Sequence, residues 1–265
     1  MTQAKAERIE MNQSAFEKIN NTKVYWLGGG GAMINSRGTV ILIDPLLQDF
    51  DMPVLTEAPF GVKDAGHIDA VLITHCDNDH FSKSTLLDLK DQIDEIHTTH
   101  YVAQLSEEIG LEAKGHDIHD SFTVNGIKIT LTPADHAWQN DSPKHSKVRH
   151  YEMEDFCGFR IETEDGIIWM PGDSRLMQEQ LEQDPMDLIL MDISDSRWHI
   201  GLDGVDKMAA AYPETPLLPI HWGCVDAPEW KEFNGDPAVV KERIVNPERL
   251  YVKAVGEAFE LGAKD

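Results

Sequence analysis

The sequence predicts an α/β protein, and three observations carry that expectation. Short apolar runs rich in β-branched residues, such as Thr39-Val40-Ile41-Leu42-Ile43 and Asp69-Ala70-Val71-Leu72-Ile73, read as buried strands. Helix-like segments at residues 81–89 and 101–109 fall among them. Asn125-Gly126 and Glu164-Asp165-Gly166 each separate two strand-like runs, as in hairpins. With 265 residues the chain can bury a sizeable core, as one large α/β domain or two small ones.

In order, residues 6–19 form a polar segment that reads as a helix or as a loosely attached arm. Lys23-Val24-Tyr25-Trp26-Leu27 is the first strand, and Ala32-Met33-Ile34 the next, with Gly28-Gly29-Gly30-Gly31 between them. Neither a Lys-Ser or Lys-Thr pair nor a helix follows these glycines, so a bulge or a close backbone approach fits better than a phosphate loop. The strand at residues 39–43 ends in Asp44-Pro45, where Asp44 orients site groups or caps a turn. The strand at residues 69–73 runs into Thr74-His75-Cys76-Asp77-Asn78-Asp79-His80, after which Ser82 or Ser84 caps a helix. By itself this cluster is also readable as ordinary turn and capping chemistry.

A short strand at residues 95–99 and a helix closed by Gly110 come next. The hairpin around Asn125-Gly126 leads into Thr132-Pro133-Ala134-Asp135-His136. Residues 139–154, carrying His145, Arg149 and His150, are polar and long enough for a lid or an insertion. The second hairpin ends in Pro171-Gly172-Asp173-Ser174. Buried strands are expected at residues 186–191 and 216–220, the latter entering His221-Trp222-Gly223, and strand-like runs at 250–253 and 258–261 close the chain.

Lys plus Arg total 23 against 47 for Asp plus Glu, a formal net charge of -24 with no basic run. That surface repels phosphate backbones and excludes a general nucleic-acid binder; an anionic substrate would need bound cations or a few local Arg and Lys. Three scattered cysteines make no disulfide framework, which favours a reducing compartment. The first twenty residues lack the apolar core of a signal peptide, and no apolar run reaches membrane-spanning length. The expectation is a soluble cytoplasmic protein with a small-molecule substrate, no nucleic-acid or membrane partner, and a homo-oligomer left open.

Four times an apolar strand ends in residues that ligate metals: His75 to His80, His136, Asp173 and His221. A sheet gathers the C-terminal ends of its strands at one cleft, so coincidence is hard to accept. These residues closely resemble the metallo-β-lactamase superfamily of metal-dependent hydrolases, with its H-x-H-x-D-H loop, later His, bridging Asp in a G-D segment and last His. The resemblance runs from about Val24 to Leu261. It leaves residues 1–22 as an N-terminal segment, expected to be helical, and residues 23–265 as a single domain. The fold it implies is a four-layer αβ/βα sandwich, two mixed sheets face to face with helices outside. Ile43-Asp44-Pro45 is similar to the family's early structural Asp, and Pro171-Gly172-Asp173-Ser174 with Pro219-Ile220-His221-Trp222 resembles the ascorbate-6-phosphate lactonase-like branch.

Carried over by position, the resemblance implies two divalent metal ions, manganese, iron or zinc. His75, Asp77 and His136 would hold the first and Asp79, His80 and His221 the second, with Asp173 bridging them. One position departs from the pattern, because Asp77 stands where the family usually has its second His. A carboxylate there also resembles the flavodiiron branch, which uses Glu, and oxygen donors favour manganese or iron over zinc. The implied reaction is attack by a metal-bridged hydroxide on a small ester, lactone or phosphoester, with Asp79 both a ligand and the residue that orients the nucleophile. A phosphodiesterase or nuclease of the superfamily is a further alternative, disfavoured by the charge, and a di-iron redox protein another, disfavoured because no flavodoxin-like second domain fits. His199, in Ser194-Asp195-Ser196-Arg197-Trp198-His199 after another strand, is the candidate proton donor, against the alternative of an exposed loop histidine.

Overall fold

In the computed structural model, which describes residues 3–262, the chain builds two mixed sheets. Strands β1 (Thr22–Gly28), β2 (Gly31–Ser36), β3 (Thr39–Ile43), β4 (Ile68–Leu72), β5 (Ile93–Thr99) and β6 (Lys114–His116) are followed by β7 (Ser121–Val124), β8 (Ile127–Pro133), β9 (Cys157–Thr163), β10 (Gly166–Met170), β11 (Leu188–Asp192), β12 (Leu217–Ile220) and β13 (Ala258–Glu260). The first sheet has the order β13-β1-β2-β3-β4-β5-β6, and the second β12-β11-β10-β9-β8-β7. Strands β3 to β6 pair in parallel, as do β10 to β12, while the remaining pairs are antiparallel.

Alternation along the strands sorts side chains between two layers of core. Val24, Trp26, Ile41 and Ile43 face inward and pack with Leu131, Phe159 and Ile161 of the opposite sheet. Their neighbours Tyr25, Leu27, Val40 and Leu42 face outward, where Leu86 and Leu89 of α1 (Lys83–Leu89) and Val102 of α2 (His100–Glu108) cover them. Burial on both faces explains why these strands read as unbroken apolar runs. On the far side, Val205 and Met208 of α3 (Gly201–Ala211) and Val240 of α4 (Pro237–Arg243) join the core of the second sheet. Two mixed sheets with helices outside are the layered α/β sandwich expected. No helix among the described residues is long and apolar enough to cross a membrane.

The expected N-terminal helix is replaced by an extended arm with a single 3₁₀ turn at Gln13–Phe16. Its buried residues Ala6, Met11 and Phe16 are five apart, which would scatter them around a helix. The arm is laced down by its backbone, with Ala6 N donating to Gly223 O at 3.0 Å and Ile9 N to Val255 O at 2.8 Å. Residues 250–253 likewise form no strand, keeping only an isolated bridge from Leu250 to Leu217. The glycine run does mark a bulge, where the β1–β2 register slips between Trp26 and Gly28. It also marks a close approach, since a Cβ on Gly30 would collide with the His80 ring.

Candidate metal centre

Every sequence-predicted site residue lies just beyond the C-terminal end of a strand, and the fold brings those ends to one place. Asp44 follows β3, the His75 to His80 loop follows β4, and His136, Asp173 and His221 follow β8, β10 and β12. Asp44 organises the loop. Its carboxylate accepts from Thr74 N at 2.8 Å and Thr74 Oγ1 at 2.6 Å, and lies 2.8 Å from His80 Nδ1. Orienting site groups, rather than capping a turn, is therefore its role.

Each imidazole is fixed through Nδ1. His80 donates to Asp44, His75 lies 2.9 Å from Thr74 Oγ1, His136 lies 2.7 Å from Trp198 O, and His221 lies 3.0 Å from Glu232 O. An oxygen at Nδ1 leaves Nε2 as the lone-pair nitrogen, which is how metal-binding histidines are set up. The Nε2 atoms of His75, His80 and His221 are buried with no hydrogen-bond partner. Such orphaned acceptors are costly unless a cation completes them.

The carboxylates meet these nitrogens. Asp77 Oδ2 lies 3.4 Å from Nε2 of both His75 and His136. Asp79 Oδ2 lies 3.5 Å from Nε2 of His80 and of His221. Asp173 Oδ2 is central, 3.2 Å from His80 Nε2, 3.3 Å from His221 Nε2 and 3.9 Å from His136 Nε2. Ligand atoms of His75, His136 and Asp173 fall within 4.8 Å of one another, as do those of Asp79, His80 and His221.

Burial pushes the Asp77, Asp79 and Asp173 carboxyls up, but the facing imidazoles more than offset it and hold all three below the ordinary carboxylate range. Burial pushes the imidazoles down; the carboxylates reverse this for His80, His136 and His221, lifting His221 to about 10. His75 stays lowered by burial and by the nearby His80. The cluster thus favours positive charge at its centre, and its mix of imidazole and carboxylate suits zinc, iron or manganese.

His199 is buried, not an exposed loop residue. Its Nδ1 lies 2.7 Å from Asp192 Oδ2 and 3.7 Å from Asp173 Oδ2, and its ring stands 4.8 Å from His136 and 5.0 Å from His221. Sequence reading missed Asp192, although the signal was present: it is a carboxylate ending an apolar strand, as Asp44 follows one. It also missed Trp138 and Gln139, whose Nε1 and Nε2 donate to Asp77 at 2.7 and 2.6 Å. Gln139 opens the polar stretch 139–154 expected to be a lid or an insertion, with Trp138 just before it, and Lys144, His145 and Tyr151 of that stretch line a cleft of about 780 Å³ over the centre.

Residues 39–222 match the beta-lactamase superfamily domain. The chain belongs to the metallo-β-lactamase superfamily. Within this superfamily it is similar to a UPF0173 metal-dependent hydrolase of Polaromonas sp., 29% identical over 224 residues that cover 76% of this chain and 77% of that protein. A UPF0173 metal-dependent hydrolase of Pelotomaculum thermopropionicum is 26% identical over 247 residues, 90% of this chain and all of the relative (100%). The fold is similar to that of a metallo hydrolase from Ignicoccus hospitalis, with a TM-score of 0.70 at 18% identity over 92% of this chain and 100% of that one. The protein is therefore a metal-dependent hydrolase of the metallo-β-lactamase superfamily.

Proposed function

We propose that this superfamily member is a dinuclear hydrolase of a small, uncharged ester or lactone. The observation that carries the reading is the convergence of four Nδ1-anchored imidazoles on three carboxylates. His75, Asp77 and His136 would hold one ion, Asp79, His80 and His221 the other, and Asp173 would be shared. Two divalent ions there would lower the pKa of a shared water and polarise the bond under attack.

The chain's own groups supply the rest. Asp79 orients the attacking water by accepting its hydrogen bond. His199 donates Nδ1–H to Asp192, which leaves Nε2 to face substrate in the cleft it lines. Among the described residues Lys144 is the single Lys or Arg lining the cleft, against Asp51, Glu229 and Glu232 outside the proposed ligand set. Even with the two proposed divalent ions counted, Asp77, Asp79 and Asp173 together with these carboxylates leave the cleft no excess positive charge, which favours an uncharged substrate over a phosphoester. Pro171-Gly172-Asp173-Ser174 and Pro219-Ile220-His221-Trp222 support a place near the lactonase-like branch.

Elemental analysis of the purified protein, with ester, lactone, phosphodiester and oxygen-reduction assays side by side, tests this reading. Two ions per chain and turnover of esters or lactones are expected. Oxygen reduction without hydrolysis would instead support the redox alternative that Asp77 suggests.

A further inference from the structure

A second cavity, of about 400 Å³, adjoins the substrate cleft. The two spaces share Asp79, Phe50, Met52 and Phe233 as lining. The partition between them is aromatic: Phe233 stacks on the His221 ring, 5.6 Å between centroids, and meets Phe50 edge-on at 6.3 Å. Behind it the walls are Leu27, Leu46, Phe60, Cys224 and Val225, with Leu27, Phe60, Cys224 and Val225 buried. Burial pushes the Cys224 thiol up to about 12, so it stays neutral and behaves as an apolar wall. The charged members Arg8, Asp49 and Glu57 are exposed and stand at the rim.

We infer that this cavity is a binding subsite for a hydrocarbon substituent of the substrate, reached past the Phe50–Phe233 partition while the scissile group sits over the metal centre. The inference rests on the hydrolase reading for what lies at its inner end. Three features select the occupant. The cavity shares a proposed metal ligand, Asp79, with the cleft, its inner wall is apolar, and its volume lies within the roughly 300–1,000 Å³ typical of small-molecule sites. A flexible chain entering it would exchange water contact for apolar contact along its length.

The test uses the full-length metal-loaded protein and 1-octanol as the probe, with binding measured by calorimetry. Two variants, Ala58→Trp and Leu46→Trp, each place an indole in the cavity, and thermal melts show which of them keep the fold. 1-Octanol should bind the wild type, and each folded variant should weaken it by roughly tenfold or more. In parallel, the ratio of kcat/KM for p-nitrophenyl octanoate over p-nitrophenyl acetate should fall by a similar factor. No octanol binding, or binding and chain-length ratio unchanged in both variants, overturns the subsite. Octanol binding lost in the variants with no ester turned over upholds the subsite and overturns the ester-hydrolase reading, so the two can fail separately.

Discussion

At the scale of single residues, Asp77 is the position where this candidate centre departs from the family pattern. It meets both His75 and His136 while Trp138 and Gln139 hold its two oxygens, so it is oriented before any cation arrives. With Asp173 it would give the proposed first site two oxygen donors, which suit manganese or iron better than zinc. We expect metal-free protein reloaded one ion at a time to show higher activity per bound metal with manganese or ferrous iron, and Asp77→His to move the preference towards zinc. If zinc gives the most active wild type, oxygen donation at Asp77 does not set the metal. His199 makes a second case. Removing a side chain that exchanges a proton with substrate usually costs roughly a hundredfold, so His199→Ala should lower kcat by about that factor with metal content intact. Kinetics equal to wild type would remove His199 from the mechanism. These candidate ligands were legible because His and Asp at strand ends break an apolar pattern. Trp138 and Gln139 were not, because a tryptophan and a glutamine in a polar stretch look the same whether or not they reach back sixty residues to a carboxylate.

At the scale of elements, the open edge where the two sheets meet is held by a stack of rings. His97 of β5 lies 3.8 Å from Phe122 of β7, ring on ring, and its Nδ1 lies 2.8 Å from His116 Nε2 on β6. One imidazole must donate and the other accept, so protonating both breaks the bond. Burial lowers His97 to about 4 and also lowers His116. A histidine depressed in the folded state contributes stability present above its unfolded value near 6.5, and loses it as pH falls through about 4. Thermal unfolding from pH 7 down to pH 4 should therefore show wild type losing more stability than His97→Gln, which keeps a hydrogen-bonding group but cannot titrate. Equal slopes would mean that this edge is not acid-sensitive. The strands flanking the hairpins were readable from alternation and turn residues, whereas α3 was not. Its Gly201 and Gly204 argue against helix by propensity, yet a Cβ on Gly204 would crowd Ile200, so close packing explains that glycine.

At the scale of the whole molecule, the proposed centre is a clasp between sheets. His75, Asp77, Asp79 and His80 follow a strand of the first sheet, and His136, Asp173 and His221 follow strands of the second. Ions held by both groups bind the folded chain and not the unfolded one, which is a direct contribution to stability. Chelation should lower Tm by roughly 5–10 °C, the scale for a ligand present well above its Kd in a chain of this size. The pH dependence has a definite sign. In metal-free protein the raised imidazoles contribute stability that is full below about 6.5 and is lost as pH rises through the folded value, about 10 for His221. Cations compete with those same protons, so the Tm gap between loaded and metal-free protein should widen from pH 6.5 upward. A gap that is constant with pH would mean that the ions bind elsewhere.

Two residues of this centre, Asp44 at φ +45° and His221 at φ +60°, hold a left-handed backbone that L side chains avoid. The penalty is about 1–2 kcal/mol for most residues and least for Gly and Asn. His136 and His221 both gain from the facing carboxylates in metal-free protein, but only at position 221 would an Asn also relieve backbone strain. In metal-free protein His221→Asn should therefore destabilise less than His136→Asn, a comparison that thermal melts can make directly. The same strain predicts how the lineage ages: where the activity lapses, positions 44 and 221 are free to relax towards Asn or Gly before the unstrained ligands drift. A relative with Gly or Asn at either position should bind metal poorly even with the rest of the histidine and aspartate set intact, so these two backbone angles mark whether selection for catalysis is still acting.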